Sequence, residues 1–182
     1  NLQFIASELS VGNYRIDSLC FDVENNSFVI VEYKKGSSYS VIDQGYTYLQ
    51  LLLNNKADFL LIYSEFVNKV TKPTDIDWSQ SKIIFISQSF NSYQKDSINF
   101  KGLPFELWEI AKYENNLYSL NQHQISSVET ISSITSSENE KIKSVSKEII
   151  QYDETHHIKK YSKDLINNWE DFKSLILLDD IV

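Results

Sequence analysis

Residues 2–35 read as three strand-like runs joined by two short polar turns, and this constrains the fold more than any other feature. LQFIASELSV is followed by Gly12-Asn13, YRIDSLCFDV by Asn25-Asn26, and SFVIVEYKK completes the set. Both dipeptides suit two-residue hairpins. A chain that opens with an antiparallel meander must cover at least one face of it, so later segments have to supply that layer. SYSVIDQGYTYLQLLLNN then changes to helical spacing, with Ser40 three residues ahead of Asp43 as a candidate capping box. ADFLLIY and KIIFIS read as buried strands, and LPFELWEIAKY as a strand starting near Pro104. The expected class is α/β, with a mixed central sheet flanked by helices.

The meander carries charges where a hydrophobic hairpin would not. Asp17 lies among apolar neighbours on the second run, and Glu32 and Lys34 end the third. With Asn25-Asn26 as the central turn residues, opposed positions sum to 51, which sets Asp17 opposite Lys34 and Leu19 opposite Glu32. Opposed residues share a face, as do residues two apart on a strand. Asp17, Glu32 and Lys34 are therefore expected on one face. Gly12-Asn13 gives a sum of 25 in the first hairpin, setting Glu8 opposite Asp17. Two carboxylates offer hard oxygen ligands to Mg²⁺, and an adjacent lysine can hold a water or offset charge on a phosphoryl group. The ordinary reading of such a spacing is an exposed salt bridge between Asp17 and Lys34. Gln44 and Tyr48, i and i+4 on the following helix, share one helix face.

RIDSLCFDVENNSFVIVEYKKG resembles the acid–hairpin–ExK core of the PD-(D/E)xK phosphodiesterase superfamily, which has the restriction-endonuclease-like fold. QGYTY resembles the QxxxY motif of its RecB-like branches. ASELSVGNYRIDSLCFD and VIVEYKKGSSYSVIDQGYTYL are similar to a group of uncharacterised bacterial predicted nucleases. In that group a small domain begins with a stretch like YDETHHIKKYSKDL. The resemblance extends over residues 1 to about 120 and implies metal-dependent hydrolysis of nucleic acid, DNA first, with Mg²⁺ or Mn²⁺. It implies Asp17 and Glu32 as metal ligands, helped by the Tyr33 carbonyl, and Lys34 as the catalytic lysine. Gln44 would position the lysine, the water or a phosphate; Tyr48 would support the DNA backbone or the helix packing. Ile16 stands where the family has proline. A further family acid, usually from an N-terminal helix, leaves Glu8 as a substitute ligand, although Glu8 fits a salt bridge with Arg15 or Lys34 equally well. Lys35 and Ser38 lie in the local strip best suited to phosphate contact.

Three divisions are expected: a nuclease-like domain over 1–122, a Ser/Thr-rich linker over 123–147, and the start of a helical domain over 148–182. The linker could instead be a solvated helix, because Ile125, Val128, Ile131 and Ile134 recur every third residue. In the last segment Ile158, Tyr161, Leu165, Trp169, Phe172 and Ile176 form an amphipathic stripe. One such helix cannot bury its own stripe, so it is expected to dock on the first domain, on a partner such as a second copy in a homodimer, or on residues beyond this stretch.

Net charge is −8, which argues against binding nucleic acid through bulk charge but not against a local site. The single cysteine, Cys20, excludes an internal disulfide and suits a reducing, cytoplasmic setting. No apolar run reaches the length of a membrane span. The chain starts at Asn1 rather than Met, which leaves room for a preceding segment. His156 and His157 are adjacent and point apart on a helix, and His123 has no ligand-spaced neighbour. Cys20 lies on the strand face opposite Asp17, and Trp108 is expected to pack. Two other functions are compatible with these residues: a nuclease-fold module that binds without cutting, and a scaffold acting through its C-terminal helix. An intact D…ExK with Gln44 disfavours the first; the second requires an acidic cluster that holds no metal.

Overall fold

A computed structural model describes residues 1–35, 41–127, 163 and 165–169. The chain divides into two compact units, Asn1–Ile150 and Gln151–Val182. In the second, residues 165–169 are helical, with Leu165 and Trp169 exposed. The rest of the amphipathic stripe, and most of the Ser/Thr-rich segment, fall outside the described residues.

The first unit is built on a six-stranded sheet whose spatial order follows the chain. β1 (Leu2–Val11), β2 (Tyr14–Asp22) and β3 (Ser27–Lys34) form the antiparallel meander. β4 (Lys82–Ser87) runs parallel to β3, and β5 (Phe105–Lys112) parallel to β4; β6 (Tyr118–Gln122) closes the order antiparallel to β5. Parallel neighbours need crossovers, and helices supply them. α1 (Val41–Asn54) and α2 (Lys56–Phe66) connect β3 to β4, and α3 (Ser92–Ser97) lies between β4 and β5. The α/β class with a mixed sheet and flanking helices is therefore as expected.

ADFLLIY is not a strand but most of α2. A short apolar run is equally compatible with a strand or a buried helix. Its burial is one-sided: Phe59 is fully buried while Leu61 faces solvent. A central strand would be covered on both faces. Tyr63, four residues after Phe59, stacks on Phe21 at 4.1 Å between centroids.

The second hairpin also departs from expectation. Ser18 opposes Val31 and Asp22 opposes Ser27, so opposed positions sum to 49 rather than 51. Asp22 is the cause. One of its carboxylate oxygens accepts the Glu24 and Asn25 backbone N–H groups at 3.1 and 3.3 Å, and the other accepts the Asn25 side-chain amide at 2.9 Å. These bonds stabilise a four-residue loop, Val23 to Asn26, in which Asn26 takes the left-handed region at φ 48°. A shift of two preserves side-chain parity, so Glu32 and Lys34 keep a common face while every facing pair changes. The first hairpin keeps the expected register near its turn, with Val11 opposite Tyr14 and Leu9 opposite Ile16.

The main core lies between the sheet and the described helices, and includes Leu19, Ile30, Leu49, Leu52, Phe59, Phe85 and Phe105. A smaller cluster, Cys20, Val29, Val31 and Ile84 with Ile86 and Trp108 against it, occupies the other face. Cys20 is thus a core residue as expected, and burial pushes its thiol pKa up, away from reactivity. Gly45 lets α1 approach the sheet: a Cβ there would lie 2.7 Å from the Phe105 ring.

Candidate active site

The meander and α1 converge at the carboxyl end of β3. Glu32 precedes the strand's last two residues and is 7% exposed. Its register neighbour on β4 is Phe85, which is fully buried, so the carboxylate stands on an apolar floor. Gln44, near the start of α1, donates its amide to Glu32 Oε1 at 2.7 Å. The same amide nitrogen lies 3.0 Å from the Tyr48 hydroxyl, which donates to the Arg15 carbonyl at 3.1 Å. Gln44 and Tyr48 thus tie the helix to β2 and β3 through one chain of hydrogen bonds. Tyr48 is 6% exposed, and burial raises its pKa.

Lys34 donates to Gln44 Oε1, and its Nζ lies 3.7 Å from Glu32 Oε1. The ammonium is 5.6 Å from the centroid of the Phe85 ring. Ser87, opposite Lys34 on β4, donates its hydroxyl to the Lys34 carbonyl at 3.2 Å. The lysine is therefore fixed at both its backbone and its tip.

Asp17 completes the group. Its Oδ2 accepts the Tyr33 backbone N–H at 2.8 Å, just past Ser18, where the ladder between β2 and β3 ends. Ile16 and Leu19, three apart, both pack in the main core, so strict strand alternation breaks between them. Opposite this break on β1, Glu8 has φ 54°. Glu32's carboxyl pKa is raised, chiefly by burial and next by the charge of Asp17. Lys34 and Gln44 pull it the other way. Among the described residues Glu32 Oε2 is buried with no hydrogen-bond partner.

Glu8 does not join them: it pairs with Arg15, and both side chains are more than half exposed. Among the described residues no group of three or more His, Cys, Asp or Glu side chains is arranged to hold a metal ion. The acidic set is thus a pair, Asp17 and Glu32. Lys35 is exposed beside the site; Ser38 and Ser40 lie outside the described residues. Phe85 and Ser87 were not singled out from the sequence. Their signal was positional, since a parallel strand beside ExK must place residues next to Glu32 and Lys34.

No family model matches the chain. An uncharacterised protein of Haemophilus influenzae is 43% identical over 175 residues, which cover 96% of this chain and 58% of that protein. The chain thus spans a little over half the length of that relative. Among solved structures, an EndoMS–dsDNA2 complex has a TM-score of 0.31 at 18% identity, covering 62% of this chain and 38% of that one. Pyrococcus furiosus SfsA in complex with Ca²⁺ has a TM-score of 0.32 at 15% identity, covering 66% and 53%. No helix among the described residues is long and apolar enough to cross a membrane.

Proposed function

We propose that the chain is a metal-dependent nuclease that hydrolyses phosphodiester bonds, with DNA as its substrate and Mg²⁺ or Mn²⁺ as its cofactor. The observation that carries this reading is Glu32. Its carboxylate is buried beside a second carboxylate, one oxygen is oriented by Gln44, and the other has no partner among the described residues. Buried polar atoms are rarely left so, and a hard divalent cation would answer both the orphaned oxygen and the repulsion from Asp17. The donor set therefore fits such an ion, held by Asp17 and Glu32 with the Tyr33 carbonyl as a further oxygen. When bound, the ion polarises a phosphoryl oxygen and lowers the pKa of a bound water.

The remaining work falls to the chain's own side chains. Lys34 carries fixed positive charge to the group, anchored by Gln44 and Ser87. From there it can orient the attacking water and offset charge building on the phosphoryl oxygens. Gln44 sets the positions of Glu32 and Lys34 at once, and Tyr48 holds Gln44. Lys35 stands ready for a backbone phosphate. Water adds its oxygen to phosphorus, one P–O bond to a sugar breaks, and the departing oxygen takes a proton.

The test is a Mg²⁺ and Mn²⁺ titration with plasmid and with labelled single-stranded, duplex and branched DNA, alongside metal-binding calorimetry. Metal-dependent cleavage that Lys34→Ala abolishes while metal binding persists supports the assignment. Asp17→Asn should remove binding and cleavage together. A protein that neither binds the metals nor cuts any of these substrates would overturn it.

A further inference from the structure

The two edges of the sheet are protected very differently. β1 carries three of the devices by which proteins blunt an edge. Its ladder is irregular between Phe4 and Ala6, Glu8 takes a left-handed backbone, and Glu8 and Arg15 set an ion pair on its surface. β6, YSLNQ, has none of them. It contains no proline and no charge, and from Asn115 to Val128 the sequence has no formally charged residue.

The backbone of β6 can be assigned side by side. Tyr113 N–H donates to the Leu117 carbonyl at 2.8 Å and His123 N–H to the Leu107 carbonyl at 2.9 Å. Hydrogen-bonded pairs alternate in an antiparallel ladder, so the odd-numbered residues of β6 turn their backbone groups toward β5. Tyr118, Leu120 and Gln122 therefore direct N–H and C=O outward, at the edge of the described sheet. Their side chains lie in line with an apolar strip: Ile110 is opposite Leu120, and Ile110, Leu120 and Tyr118 are 36%, 49% and 61% exposed. Beyond the strand, Ser126 and Ser127 N–H groups bond to the Asn99 side chain.

We propose that β6 is a self-association edge, where two copies of this chain join antiparallel into one continuous sheet. The occupant is a second copy because of charge and symmetry. A chain of net charge −8 repels its own kind except across a neutral surface, and β6 lies in its longest described neutral stretch. An antiparallel pairing with a two-fold axis at Leu120 uses every outward group. Leu120 faces Leu120 of the second copy, and Tyr118 faces its Gln122. This is an isologous interface made by strand addition.

Sedimentation equilibrium on the full chain should show a monomer–dimer equilibrium. Leu120→Lys should weaken association by roughly tenfold or more by placing like charges at the axis. Gln122→Pro should do the same by deleting an outward N–H without touching the β5 ladder. Both variants should keep the wild-type far-UV dichroism and melting temperature at monomer concentrations. Backbone hydrogen exchange over 118–122 should slow as wild-type concentration rises. A wild type that stays monomeric, or a dimer that survives both substitutions, would overturn the proposal.

Discussion

Two lysine–carboxylate pairs stand on opposite faces of this sheet, and they are built on different terms. On the back face Glu106 uses both oxygens. One accepts from Lys82 at 2.8 Å and the other from the Trp108 indole at 2.7 Å. On the front face the Glu32–Lys34 pair is more deeply buried yet looser, with its charged atoms 3.7 Å apart and Glu32 Oε2 without a partner. Stability alone would demand the reverse, since the cost of an unpaired polar atom grows with burial. The first pair is complete as it stands. In the second, among the described residues, one buried carboxylate oxygen has no hydrogen-bond partner.

The largest effects should therefore come from breaking this contrast directly. Glu32→Gln and Lys34→Ala should each lower DNA cleavage by roughly a thousandfold, the scale of removing one group that stabilises developing charge. Glu32→Gln should not reduce the melting temperature of the metal-free protein, because Glu32 is not well compensated, whereas Lys34→Ala should lower it by taking away the charge that offsets the buried carboxylate. Glu106→Gln should behave oppositely. It should cost about 1 kcal/mol, an amount suited to a partly exposed pair, and leave cleavage per folded molecule unchanged. A Glu106→Gln protein that melts normally but no longer cuts would break the distinction.

The next effect tests how the site depends on packing. Gly45→Ala drives a methyl group into the buried Phe105 ring. Overpacking of this kind costs about 1–3 kcal/mol. Because Gln44 is the adjacent residue, cleavage should fall along with stability, whereas the Lys82–Glu106 side should feel only the loss of stability. Thermal melts and single-turnover cleavage measured in parallel would show whether the two move together.

The front-face group was legible in the sequence because its signal is parity. Glu32 and Lys34 stay on one side whether the hairpin sums to 51 or to 49, whereas Asp17 lies where the alternation of β2 breaks and meets β3 through the Tyr33 backbone N–H. The facing pairs were not legible, because Asp22 remakes the turn with side-chain bonds that no dipeptide rule contains. α2 was hidden for a different reason. Its apolar run is too short to show a period, and only the one-sided burial of Phe59 reveals the helix. Phe85, Ser87 and the Glu106 network depend on which strands become neighbours. That is decided by the crossovers, through α1 and α2 for β3 and β4 and through α3 for β4 and β5, not by any local pattern. Glu8 had two readings, a substitute ligand or a salt bridge with Arg15 or Lys34, and the structure pairs it with Arg15.

A smaller effect should follow from Tyr48→Phe. The hydroxyl bridges Gln44 and the Arg15 carbonyl, so its loss should cost about 0.5–1.5 kcal/mol. Gln44 would then lose its anchor while keeping its bonds to Glu32 and Lys34. Cleavage should fall by roughly tenfold, the lower end for a group that orients others. An unchanged rate would show that the helix holds Gln44 without it.

The finest comparison is between Glu32 and Glu109, read through pH. Glu32's pKa is raised by burial and by Asp17, so the folded state holds its proton more tightly than the unfolded chain does. Without metal, stability should therefore rise as pH falls from above Glu32's folded pKa toward the ordinary value of 4.5. Glu109's pKa is lowered, chiefly by the Phe90 backbone N–H and then by Lys95. Its contribution is present above 4.5 and is lost as pH falls through its folded value. The two acids thus pull in opposite directions, in adjoining pH windows. Glu32→Gln should erase the first trend, so that the variant's stability advantage is largest at neutral pH and vanishes in acid. Adding Mg²⁺ should reverse that advantage, because the wild type gains a ligand that the variant binds poorly. Melting curves for the two proteins across pH, with and without Mg²⁺, make the measurement. If the metal-free curves run parallel, Glu32 is already compensated in the folded chain, and its resemblance to the saturated Glu106 pair is closer than the geometry implies.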